Sequence, residues 1–108
     1  MRGMGQVVIA CYRPRDGASD ALRGLVRTHV PRLRNAGLVT DREPILAVAA
    51  DDTVVEVFEW VSADAIATAH EHPAVLAMWE EFDEVCTYVP LADVPGAAGL
   101  FTELEPLT

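Results

Sequence analysis

Residues 53–61, TVVEVFEWV, constrain the fold of this chain more than any other segment. The run is β-branched and aromatic, so it reads as a strand. Side chains alternate along a strand, which places Val54, Glu56, Phe58 and Trp60 on one face and Val55, Val57, Glu59 and Val61 on the other. Both faces are mainly apolar, so a sheet built on this strand has to be covered on both sides. Each face also carries one carboxylate. One of the two points toward helices or a partner, where it calls for a cation such as Arg13 or Arg42. Without an offsetting cation or donor, a buried carboxylate has a raised pKa and is a candidate general base.

The rest of the chain supplies the cover for one face. Residues 6–13, QVVIACYR, predict a first strand between Gly5 and Pro14, and residues 14–17 a turn. Ser19 is placed to cap a helix on which Leu22, Leu25, Val26, His29, Leu33 and Ala36 share a face, with Gly37 as the stop. Pro31 predicts a kink or short break near residues 27–31. Residues 38–50 predict a second extended segment, interrupted by Pro44 and joined to the third by Asp51 and Asp52 as a hairpin. Ser62 caps a short helix reaching about His70, and Pro73 starts another with His72 before it. Val75, Met78 or Trp79, Phe82, Val85 or Cys86, and Val89 continue that helix at helical spacing, residues 90–99 form a loop, and LFTELE at 100–105 alternates as a last strand.

The order β-α-β-β-α-β is that of an α+β, ferredoxin-like domain, a four-stranded antiparallel sheet with helices on one face, spanning residues 1–108. Helices cover one face only, and the other is apolar too. A second copy of the same sheet is the simplest cover, so a homodimer paired through its sheet faces is expected.

Charge narrows the partners. The net formal charge is −9; all eight cationic residues are arginines between Arg2 and Arg42, and residues 51–108 hold thirteen acidic side chains and no basic one. That balance argues against nucleic acid and anionic membranes. No segment has the pattern of a signal peptide or a transmembrane helix, and Cys11 and Cys86 stand in no metal or disulfide spacing, so a cytoplasmic protein with free thiols is expected. The lysine-free, alanine-rich composition is associated with GC-rich bacterial genomes.

Several residue types suit a site. His29 lies on the apolar face of the first helix and must find a partner there; it is either a satisfied core histidine or a base at the wall of a cleft. His70 and His72 flank the break before Pro73. On a helix, residues two apart point about 160° from each other, so no metal site is expected from them, and His72 is a helix cap. Trp60, at the end of the third strand, is a core anchor or a cavity wall. Tyr12, Glu56, Phe58, Trp79 and Tyr88 are further candidates to line a pocket.

Residues 58–79, FEWVSADAIATAHEHPAVLAMW, resemble the antibiotic-biosynthesis-monooxygenase-like family of dimeric α/β barrels. The family shows an acidic residue and Trp at the end of the third strand, a small cap, a His, and a Pro-initiated helix. Glu59, Trp60, Ser62, Ala65, Ile66 and Pro73 fall in register, while the family's His position falls on Ala69, one residue before His70. The resemblance implies a dimeric α/β barrel and a cavity lined by Trp60. Family members include cofactor-independent oxygenases of aromatic polyketides or quinols. Its haem-degrading members carry an Asn on the first strand that VVIACYR lacks, which counts against that chemistry. Two readings stay open. One is an enzyme without metal or flavin that uses Trp60 with His29 or His70 on a small apolar molecule. The other is a non-catalytic dimer that binds a ligand or partner.

Overall fold

The computed structural model describes residues 5–107. Its centre is the pairing of β1 (Gln6–Pro14) with β3 (Val54–Trp60), antiparallel from Gln6 opposite Trp60 to Tyr12 opposite Val54. This register puts Val8, Ala10 and Tyr12 beside Phe58, Glu56 and Val54 on one face. Val7, Ile9 and Cys11 lie beside Glu59, Val57 and Val55 on the other. β2 (Ile45–Val48) joins the far side of β3, and Asp52 turns the hairpin in the left-handed region at φ 69°.

The first face is covered by helices. α1 (Ser19–Asn35) buries Leu22, Val26, His29, Val30 and Leu33. It closes in a Schellman motif: Gly37, at φ 75°, donates to the Arg34 carbonyl and Leu38 to that of Leu33. α2 (Ala63–Ala69) is capped by the Ser62 hydroxyl, which accepts from the Ala65 amide at 3.1 Å. α3 (Pro73–Val85) starts where the His72 Nδ1 accepts from the Ala74 amide at 3.2 Å, and it buries Val75, Met78 and Phe82. An Arg32–Glu81 ion pair ties α1 to α3.

The molecule is therefore α+β, with three α-helices and one antiparallel sheet among the described residues. The sheet has five strands rather than the expected four, in the order β4-β1-β3-β2-β5. The helical spacing of Val85 and Val89 does not carry α3 onward. The backbone turns extended at Cys86, and β4 (Cys86–Tyr88) pairs with β1. Thr87 and Tyr88 favour strands, and the free edge of β1 offers them a ladder, so tertiary pairing overrides local periodicity. The strand expected at 100–105 is irregular over most of that length. Only β5 (Glu105–Pro106) pairs, with β2, and Leu100 and Phe101 are exposed.

Three smaller expectations also change. α1 runs unbroken through Pro31. Its buried face on both sides of the proline offsets the lost hydrogen bond. Ser19 does not cap α1: Ala18 stands at the cap, and the Ser19 hydroxyl instead meets Asp52 at 3.2 Å. Of residues 38–50 only four form a strand, with Val39 making an isolated bridge to Trp60, because Pro44 lacks the amide a longer ladder needs.

The second face of the sheet is half covered by the chain itself. Residues 89–104 fold back over Cys11, Ala49 and Val55, burying Val94 there with Val89, Ala97 and Leu104 packed against it. Beyond that flap Val7, Ile9 and Ile45 stay 61%, 49% and 65% exposed. No helix among the described residues is long and apolar enough to cross a membrane.

Candidate functional site

Between the helix-covered face of the sheet and the ends of α2 and α3 lies a cavity of about 420 Å³, within the range of about 300–1,000 Å³ typical of small-molecule sites. Its floor is Val8, Ala10 and Tyr12 of β1 with Phe58 and Trp60 of β3. His29 reaches it from α1, His70 from the end of α2, Trp79 and Asp83 from α3, and Tyr88 from β4. Strand alternation explains the floor, because each of these β1 and β3 side chains belongs to the face that carries Glu56. Trp79 and Asp83 are four residues apart and therefore share a side of α3.

Glu56 is not on the wall. It sits behind it, 0% exposed. The Tyr12 hydroxyl donates to its Oε1 at 2.6 Å, and His29 Nδ1 lies 2.8 Å from the same oxygen. Oε2 is buried with no partner among the described residues. The cation expected beside a buried glutamate is not found among the described residues: Arg13 pairs with Asp51 at 3.3 Å, and Arg42 with Glu59 at 3.1 Å on the other face. Glu56 is held by a phenol and an imidazole instead.

That arrangement has chemical consequences. A carboxylate removed from water costs several kcal/mol unless donors satisfy it, and an apolar side chain in the same place is often more stabilising. Packing alone therefore does not explain Glu56. A carboxylate oxygen can only accept, so the 2.8 Å contact assigns the proton to Nδ1 and leaves Nε2 as the nitrogen His29 can offer a molecule in the cavity. Burial first, and then the Glu56 charge and hydrogen bond, push the Tyr12 phenol far above its usual range, so Tyr12 remains a donor. The Tyr88 phenol is pushed up to about 12, chiefly by burial.

Aromatic rings hold the imidazole in place. Phe58 and Phe82 stand nearly edge-on to His29, at centroid distances of 5.2 and 5.3 Å. Trp60 packs against Phe58 at 5.5 Å. At the rim, the exposed His70 ring meets Trp79 edge-on at 5.0 Å. His72 lies outside, spent on its helix cap. No group of three or more His, Cys, Asp or Glu among the described residues is placed to hold a metal ion.

The structure thus brings Tyr12, His29, Phe58, Trp60, His70, Trp79 and Tyr88 around one cavity and sets Glu56 one layer behind. Sequence reading missed Val8, Ala10 and Asp83. The first two were legible from alternation with Tyr12, and Asp83 from its spacing to Trp79, although it falls in an acidic run that reads as a solvated face. No protein-family model matches this chain, and no curated protein matches it.

Proposed function

We propose that the cavity binds a small, flat, weakly acidic aromatic molecule and that His29 removes a proton from it, with Glu56 positioning the imidazole and stabilising the imidazolium that results. The observation that carries this reading is the Tyr12–Glu56–His29 chain, buried directly behind an otherwise apolar wall. A base oriented by a buried carboxylate is the arrangement of general-base catalysis, and such a base contributes roughly 10²–10⁴ in rate. Trp60, Trp79 and Phe58 give the substrate its flat walls. Deprotonating an anthrone-like C–H yields a carbanion that reduces dioxygen directly. The ring carbon gains one oxygen atom as a carbonyl, and the other oxygen leaves as water with the two hydrogens. This is the chemistry that the resemblance to the antibiotic-biosynthesis-monooxygenase-like family implies.

Oxygen uptake with anthrones and hydroquinones tests the proposal. The expected result is turnover that falls by at least about 100-fold in His29→Ala and is reduced in Trp60→Phe. Unchanged turnover in a folded His29→Ala protein would remove His29 from the mechanism.

The assembly belongs to the same proposal. The order β4-β1-β3-β2 fits a ferredoxin-like unit with β5 added, and exposed Val7, Ile9 and Ile45 suit a second copy of the chain across the open face. Light scattering is expected to give twice the chain mass for the native protein and the single-chain mass for an Ile9→Asp, Ile45→Asp variant. A monomeric native protein refutes the dimer.

A further inference from the structure

We infer that the cavity discriminates by charge: it takes an aromatic ligand in uncharged form and rejects the corresponding carboxylate or phosphate. This rests on the cavity being the ligand site, as proposed above, and it names the ligand class.

Three observations carry it. First, among the described residues no guanidinium or ammonium group lines the cavity. The chain has no lysine, and five of its arginines are paired elsewhere: Arg13 with Asp51, Arg23 with Asp52, Arg32 with Glu81, Arg34 with Asp41 and Arg42 with Glu59. Arg15, close to the site in the chain, spends its Nε on the Asp83 backbone carbonyl at 3.0 Å. Second, the imidazole at the floor is already bonded to the Glu56 carboxylate, so even a protonated His29 leaves the pair without net positive charge. Third, the carboxylate that does line the cavity, Asp83, is a negative group at an exposed position, in a chain of net charge −9. The imidazole at the rim, His70, faces Trp79.

A carboxylate entering this space would lose its water against Trp60, Phe58 and Val8 and find no cationic side chain among the described residues that line it. It would have to enter protonated, or enter rarely. A hydroxyl or carbonyl meets no such barrier. It needs one hydrogen-bond partner, and His29 Nε2 supplies it.

Calorimetric titration of the native protein with 2-naphthol and with 2-naphthoate at pH 8 separates the alternatives. The expected result is binding of 2-naphthol, with 2-naphthoate weaker by at least about 100-fold. Asp83→Asn should improve naphthoate binding by only about threefold, since an exposed charge acts through water. Ala10→Leu and, separately, Val8→Phe fill the cavity and should abolish naphthol binding while leaving the circular dichroism unchanged. Naphthoate binding within about threefold of naphthol overturns the inference while leaving the cavity as a ligand site. So does naphthol binding that survives both filling variants. Binding of neither compound overturns the inference together with the ligand-site reading.

Discussion

Glu56 and Glu59 stand three residues apart on β3 and face opposite sides of one sheet. Glu59 looks outward. Its Oε1 accepts from the Thr40 hydroxyl at 2.9 Å and from Arg42 at 3.1 Å, and those two bonds hold its carboxyl below the usual range. Glu56 looks inward, where no arginine among the described residues reaches it, and its two hydrogen bonds are to Tyr12 and His29. The outer carboxylate is a surface ion pair that water could replace. The inner one has no water to fall back on, so its partners are obligatory. The same residue type makes a surface ion pair on one face and a buried hydrogen-bond cluster on the other.

The comparison is tested first by Glu56→Ala. It strands the Tyr12 hydroxyl and the His29 Nδ1 in the core, and we expect a loss of about 3–5 kcal/mol in urea unfolding. A loss no larger than that of Glu59→Ala would erase the distinction between the faces. Tyr12→Phe comes next. It removes one of two donors from a buried carboxylate and is expected to cost about 1–3 kcal/mol by the same measurement.

The protein also responds to pH at both ends of the scale. Burial raises the Cys86 thiol to about 11 from 9.0 and the Tyr88 phenol to about 12 from 10.0, it lifts Tyr12 further still, and on the other face it raises the Cys11 thiol as well. The folded protein therefore keeps protons that the unfolded chain releases. The contribution of these groups is full below pH 9 and should fall as the pH rises through 9 to 12, seen as a declining melting temperature. Glu59 acts in the opposite direction. Its carboxyl is lowered from 4.5, so its contribution is present above that pH and is lost in acid. The smallest effect is expected for Arg42→Ala. Its unfolding midpoint should match that of the native protein within error, and high salt should remove any residue of difference. A large loss there would make the outer pair structural.

Much of this was readable in advance, for reasons that vary by residue. Alternation along residues 53–61 put Glu56, Phe58 and Trp60 on one face, and helical spacing put His29 on the buried side of α1, because both patterns follow from backbone geometry alone. The partner of Glu56 was not readable. It depends on the register of β1 against β3, which brings Tyr12 to the same face, and on how α1 lies across the sheet. The sequence pointed to arginine, the usual partner of a buried glutamate. The β4 strand was hidden for a similar reason. Val85 and Val89 keep helical spacing, and only the unpaired edge of β1 makes an extended Cys86–Tyr88 the better choice. LFTELE misled in the other direction, since alternation without a neighbour to pair with gives no strand.

The outermost strands have a consequence for how the protein behaves when crowded. β4 is three residues long, and β5 is two, one of them Pro106, which has no amide hydrogen to donate. β3 is enclosed between β1 and β2, whereas β4 meets β1 only from Tyr12 to Pro14, so among the described residues the Gln6–Ala10 stretch of β1 has no strand beside it on that side. A stranger's backbone thus finds its open ladder there, next to the exposed Val7 and Ile9, and little at the short end strands. Crowding is therefore met at one short stretch of edge, and a charge or proline placed in it would close the sheet to growth.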